Sequence, residues 1–145
     1  MQNLTNESDI LLEIKKLNKI LKTDFDKRME TYALTSQQAR VLQFIAKECS
    51  LQKEVHQNDV EKRFDLSKST VSGIIERLEK KNVIKKSISG FYCVLSPTNK
   101  GLDIVENIHK NRDNVISKLL KGFSNDKKIE IKDIISQLIN NMEED

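Results

Sequence analysis

The sequence contains little that would support chemistry by the protein itself. Its 145 residues include only two cysteines and two histidines, and neither pair has the spacing of a metal site or a CxxC redox motif. It shows no glycine-rich phosphate loop and no nucleophile paired with a base. We therefore expect no enzymatic activity, no catalytic residues, no metal and no cofactor, and we interpret Cys49 and Cys93 as structural thiols.

Long apolar runs are also missing. A helix needs about 20 consecutive apolar residues to cross a bilayer, and no run in this chain approaches that length. The N-terminal segment, MQNLTNESDILLEIKK, carries acids and amides early and lacks the apolar core of a secretion signal. We expect a soluble, cytoplasmic protein with no membrane partner.

The composition predicts a single domain over residues 1–145. The length is typical of one domain, and no repeat, low-complexity tract or flexible linker divides the chain. Hydrophobic residues make up 37% of the chain and charged residues 32%. This apolar content is low for an isolated globule but normal for a helical protein that forms dimers.

The most informative segment is Leu66–Asn82, LSKSTVSGIIERLEKKN. Ser67 is expected to cap a short helix, and apolar residues then recur at the helical spacing i, i+3, i+4, i+7: Val71, Ile74, Ile75 and Leu78. The opposite face combines small residues with charged ones: Ser69, Ser72, Gly73, Glu76 and Lys80. Small residues let a backbone approach DNA and long ones reach bases and phosphates, so this helix suits the DNA major groove.

Positive charge is concentrated around the same helix. Residues 66–90 hold six basic and two acidic side chains, a net charge of +4, whereas the whole chain carries +3. A basic patch on a candidate reading element is an electrostatic footprint for nucleic acid. Taken by itself, however, such a charge cluster favours the simpler interpretation of a solvated helix end.

Three helices are predicted before the central helix. A long amphipathic helix runs from about Ser8 to Tyr32, and Thr35 or Ser36 caps the next one. A short helix then begins at Asn58 or Gln57 and turns directly into the central helix, which makes a helix-turn-helix.

A β-hairpin and two further helices are predicted after Asn82. A strand leads into a turn at residues 87–90, SISG, and a second strand returns through residues 91–95, forming a wing. Pro97 opens the next helix with Ser96 as its cap, and Ser124 caps the last helix.

The expected fold class is therefore mainly α with a small β-hairpin wing. A winged helix-turn-helix over residues 35–96 is flanked by dimerisation helices over residues 1–34 and 97–145. The terminal helices carry more apolar surface than a small domain covers by itself. The expected dimerisation residues are Ile10, Ile14, Leu17, Ile131, Ile135, Leu138 and Met142.

With these elements in this order, the chain resembles the MarR family of bacterial transcriptional regulators over nearly its full length. Gln57–Asn82 is similar to the family's pattern of a short helix, then Leu-Ser, Thr-Val and Leu-Glu-x-x-(Gly/Asn). Thr98–Gly101 resembles the Thr-x-x-Gly that follows the family's wing. The resemblance implies a homodimer that binds double-stranded DNA at a pseudo-palindromic operator, usually as a repressor, and often a small aromatic effector that releases it.

The resemblance also implies which residues contact DNA. Groove and phosphate contacts fall on the central helix, with support from the N-termini of the two preceding helices and phosphate contacts from the wing. The expected residues are Ser67, Lys68, Ser69, Thr70, Ser72 and Arg77, supported by Ser36 and Gln37 and by Gln57, with Lys85, Lys86 and Ser87 in the wing.

The sequence departs from the family pattern in two places. Gly73 stands where many relatives carry a long basic or polar side chain, and the wing lacks the family's Asp-Arg pair. The absence at Gly73 removes one expected contact with DNA. The leading hypothesis remains a sequence-specific DNA-binding regulator; the missing wing arginine and Glu76 on the outward face support a second hypothesis, a winged helix that binds another protein without specific DNA binding. Salt-dependent retention on DNA discriminates the two hypotheses.

Overall fold

The computed structural model describes residues 2–144, and in this range the chain forms six helices and one two-stranded hairpin. The predicted class, mainly α with a β-hairpin wing, is confirmed. In chain order the elements are α1 (Gln2–Glu30), α2 (Ser36–Ser50), α3 (Gln57–Phe64), α4 (Lys68–Lys80), β1 (Ile84–Ser89), β2 (Tyr92–Pro97), α5 (Asn99–Leu119) and α6 (Asn125–Glu143).

The chain divides into two compact units, the first ending at Val105 and the second beginning at Glu106. The core of the first unit is built from α2, α3, α4 and the base of the hairpin. Its largest fully buried side chains are Met29, Leu42, Ile45, Ile75, Leu78, Ile84, Leu95, Val41, Val55, Val60, Val71 and Val83.

Helix α2 begins with a capping box. The Thr35 hydroxyl accepts a hydrogen bond from the Gln38 amide at 3.1 Å, and the Gln38 side-chain carbonyl accepts one from the Thr35 amide at 3.2 Å. This reciprocal pair satisfies two backbone donors that the helix start leaves free. Of the two caps that the sequence allowed, the structure therefore selects Thr35.

The turn between α3 and α4 has no glycine. Asp65 adopts the left-handed backbone conformation that a glycine often takes in such a turn. Asp65 ends α3 with a φ of 51°, in the left-handed region. Aspartate tolerates this region better than most side chains. The chain can therefore reverse tightly into α4, as a helix-turn-helix requires.

The hairpin turn lies further along the chain than the sequence suggested. Ser89 pairs with Tyr92, which leaves Gly90 and Phe91 as a two-residue loop, and Gly90 has a φ of 65°. A glycine with positive φ at the first loop position suits the tight turns that join twisted strands. The predicted turn at residues 87–90 is therefore wrong, and Ser87 lies inside β1, opposite Val94.

The predicted start of α5 is also wrong. Pro97 is the last residue of β2, paired with Ile84, and the helix begins at Asn99. Thr98 caps it instead, because its hydroxyl accepts from the Gly101 amide at 3.1 Å and donates to the Asn82 carbonyl at 2.5 Å. A proline fits the end of a strand since it has no amide hydrogen to pair there.

The terminal helices leave much of their apolar surface uncovered. Helix α1 begins at Gln2, earlier than the predicted Ser8. Helix α6 is capped by Ser124, as predicted, but none of its described residues is buried. Among the described residues, no helix combines the length and the apolar composition needed to cross a membrane.

The two cysteines have different surroundings. The Cys49 thiol lies 3.6 Å from the Leu95 carbonyl, and partial burial, aided by the neighbouring Glu48 carboxylate, raises its pKa. A raised pKa lowers the thiolate fraction and so the reactivity of Cys49. Cys93 lies exposed on β2.

Candidate nucleic-acid interface

Helix α4 presents its polar face to solvent because its apolar face is buried. Val71, Ile74, Ile75 and Leu78 are at most 4% exposed. These residues recur every three or four positions, so they fix the helix rotation and turn the opposite side outward. The polar residues expected to contact DNA, Lys68, Ser69, Thr70, Ser72 and Arg77, are all exposed.

Three exposed hydroxyls cluster at the start of α4. The Ser67 hydroxyl accepts from the Thr70 amide at 3.2 Å, which confirms Ser67 as the N-cap. The same hydroxyl lies 2.8 Å from the Thr70 hydroxyl and 3.3 Å from that of Ser69. Free amides and hydroxyls at a helix N-terminus are suitable donors to phosphate oxygens.

Gln57 connects the starts of α3 and α4. Its side-chain amide donates to the Lys68 carbonyl at 3.2 Å. This contact fixes the first turn of α4 relative to α3, and it makes Gln57 a positioning residue for the hydroxyl cluster.

Arg77 lies across the space that Gly73 leaves open. A methyl group built on Gly73 would meet the Arg77 guanidinium at 3.5 Å, an ordinary contact distance. Nearby, the Glu76 carboxylate lies 3.4 Å from the Lys80 ammonium, which offsets its negative charge on this face. Arg77 therefore supplies a cation at the position where the sequence lacks a long side chain.

Ser36 and Gln37 belong to another part of the surface. The Ser36 hydroxyl donates to the Asp26 carboxylate of α1, while Gln37 is exposed beside it. This end of α2 lies near the C-terminal end of α4, because Gln38 contacts Lys81 there. A helix of 13 residues is about 20 Å long, so these two residues are separated from the Ser67 cluster.

The three wing candidates lie on β1, but they do not share one face. Successive side chains of a strand alternate between faces, so Lys85 and Ser87 lie on one side and Lys86 on the other. All three are exposed. The Lys86 ammonium also lies 3.8 Å from the Glu79 carboxylate of α4, which ties the wing to that helix.

Sequence reasoning missed a connection that anchors the end of α4. The Lys81 ammonium donates to the side-chain carbonyl of Gln38 at 3.1 Å and also to the Ala33 carbonyl in the turn before α2. Gln38 is only 5% exposed. The Thr35-x-x-Gln38 spacing of a capping box was a signal for a structural role of Gln38, but no local pattern indicates its partner Lys81.

Comparison with known families and structures identifies the fold. The MarR family model matches residues 34–90, whereas a comparison with curated proteins finds no match. Among solved structures, MepR, a transcription regulator of the Staphylococcus aureus multidrug efflux pump MepA, is 20% identical; the match covers 90% of this chain and 96% of MepR, with a TM-score of 0.77.

Two further structures share the fold. The S. aureus MepR–DNA complex gives a TM-score of 0.68 at 20% identity, covering 90% of this chain and 94% of that one. A MarR family protein from Bacillus stearothermophilus gives 0.74 at 17% identity, covering 99% of both chains. The resemblance drawn from the sequence agrees with both comparisons: the MarR family model matches the helix-turn-helix and the first strand of the wing, and the solved structures share the fold.

Proposed function

We propose that this protein is a DNA-binding transcriptional regulator that places α4 in the major groove. The observation that carries the proposal is the orientation of α4: its apolar stripe is buried, while its hydroxyls and cations are exposed beside a basic wing. Such a helix can offer donors to base edges and phosphates at the same time.

The relatives support this reading. MepR is a transcription regulator, and a crystal structure of its complex with DNA has been solved. The MarR family model matches residues 34–90, which hold the helix-turn-helix with its exposed polar helix and the first strand of the wing. Ser67, Ser69, Thr70 and Ser72 are our proposed groove contacts, with Lys68 and Arg77 as phosphate contacts.

The proposal extends to a homodimer. Ile10, Ile14 and Leu17 on α1 are 44–53% exposed, and Ile135, Leu138 and Met142 on α6 are 44–86% exposed. Exposed apolar stripes of this length favour burial against a partner. A symmetric dimer would present two copies of α4 to half-sites about 34 Å apart, one helical turn of DNA.

Repression and release by a small aromatic effector complete the proposal, and both rest on the family resemblance. A dimer that occupies a pseudo-palindromic operator would exclude other proteins from the same DNA. We assign no residue to the effector site.

The test is fluorescence anisotropy of a labelled duplex from the gene's own upstream region, with a shuffled duplex as the control, over a salt series. We expect the native duplex to bind at least about 10³-fold more tightly than the shuffled one, with a steep negative salt dependence. Absence of binding even at low salt would contradict the proposal and favour a protein-binding winged helix.

A further inference from the structure

The tip of the wing leaves apolar side chains without cover. Phe91 in the two-residue loop is fully exposed at 104%, Ile88 is 85% exposed and Tyr92 66%. Isolated apolar residues are common on protein surfaces, but a cluster at a protruding tip is typical of an interaction site.

The tip projects from a fixed base. Ile84 and Leu95, at the base of the hairpin, are at most 2% exposed. The Leu95 amide donates to the Val55 carbonyl at 2.8 Å, which ties down this base. Nearer the tip, the Tyr92 ring makes a T-shaped contact with the His56 ring at 5.2 Å, so Tyr92 is partly covered and Phe91 and Ile88 are the uncovered apolar side chains. Five residue steps along β1 span about 17 Å, so the loop stands well away from the core.

The surroundings of the tip are suited to a polyanion. Residues 84–97 include Lys85 and Lys86 and the hydroxyls of Ser87 and Ser89, but no aspartate or glutamate. The lysines lie towards the base of the hairpin and Ser89 lies next to the loop. This arrangement suits the minor groove, because its rims carry phosphates and its stacked base steps can admit an apolar side chain. Proteins that bind the minor groove commonly insert phenylalanine or isoleucine between base steps.

We propose that Phe91, flanked by Ile88, is an apolar wedge that enters the DNA minor groove and partly unstacks one base step beside the sequence contacted by α4. The inference rests on the proposed function and deepens it. The wing lacks an arginine, so its minor-groove contact is apolar rather than cationic. Pyrimidine–purine steps such as TA and CA unstack most easily, and we expect them at the contacted position.

The chain contains no tryptophan, so Phe91→Trp places the only tryptophan at the tip, where its emission can be excited selectively over that of tyrosine. Emission is measured while a duplex from the gene's own upstream region is added. We expect strong quenching, because an inserted indole stacks on a base. The control is Phe123→Trp, at an exposed aromatic position before α6, which we expect to remain unquenched.

A second variant, Phe91→Ala, measures the contribution of the wedge. Because Phe91 is fully exposed, we expect its removal to leave the fold unchanged. We expect affinity for the duplex to fall on the order of tenfold, the size expected for one lost stacking contact. The salt dependence should stay the same since no charge is removed.

Three results would overturn the wedge. Unchanged Trp emission when the Phe91→Trp variant is bound to the duplex would exclude the wedge but would leave the proposed DNA-binding function standing. Wild-type affinity in Phe91→Ala, even with quenching, would place the tip near DNA but exclude insertion. Failure of the wild-type chain to bind any duplex at low salt would remove the proposed function and the wedge together.

Discussion

At the scale of single residues, Gly101 of the Thr98–Gly101 motif serves the fold by allowing a close approach of two backbone segments. A methyl group on Gly101 would lie 2.1 Å from the Val83 carbonyl oxygen and 3.3 Å from the Leu42 side chain. Thr98 of the same motif caps α5 and bonds to the Asn82 carbonyl. The Thr-x-x-Gly pattern therefore joins the start of α5 to the end of α4.

Gly101→Ala should strongly destabilise the protein, because the backbone of residue 83 must move to admit the methyl group. We expect a loss of about 2–4 kcal/mol in the free energy of unfolding, measured by urea denaturation. Gly73→Ala is the matched control. Its methyl group meets only Arg77 at an ordinary distance, so we expect a gain of about 0.5–1 kcal/mol from helix propensity. Equal effects of the two substitutions would contradict this account.

At the scale of elements, α4 could be predicted closely from the sequence. Its N-cap, its apolar stripe and its burial are confirmed at Ser67, Val71 and Leu78. These features are set by residues within one or two helical turns of each other, so a single segment contains the whole signal.

The position of the hairpin turn was predicted less accurately than α4, because strand register depends on pairing across the turn. The segment SISG has the composition of a turn, but only its Gly90 lies in the loop. Ser87 pairs with Val94 across the hairpin, and Ile88 pairs with Cys93. The cap of α5 was missed for a similar reason. Thr98 is favoured over Ser96 by a hydrogen bond to Asn82, a residue 16 positions away.

Ser67 offers a way to separate the stability of α4 from DNA binding. Ser67→Ala removes the cap and should cost about 1 kcal/mol of unfolding free energy. Ser67→Asp retains a capping oxygen and should unfold at nearly the wild-type denaturant concentration. Its negative charge should nevertheless repel phosphate and weaken DNA binding more than Ser67→Ala does. If Ser67→Asp binds DNA as tightly as wild type, Ser67 does not lie at the interface.

At the scale of the whole molecule, the exposed stripe of α6 predicts self-association. Leu138 lies on this stripe, so Leu138→Glu would place an unpaired carboxylate in the proposed dimer interface. Burying such a charge costs several kcal/mol, and the dimer dissociation constant should rise on the order of 100-fold or more in sedimentation equilibrium.

Ser136→Glu is the control for that experiment, because it adds the same charge on the opposite side of α6. It should leave the dissociation constant nearly unchanged. A Leu138→Glu protein that self-associates like wild type would show that this stripe is not the interface.

The central claim is that α4 and its flanking cations contact DNA, and the salt dependence of binding tests it most directly. Anisotropy titrations over a salt series would compare wild type with Lys68→Ala and Arg77→Ala, and with Lys110→Ala as a control exposed outside the winged helix. We predict that Lys68→Ala and Arg77→Ala each lower the slope of log affinity against log salt by about 0.9, while Lys110→Ala does not. Unchanged slopes for both helix variants would contradict the placement of α4 on DNA.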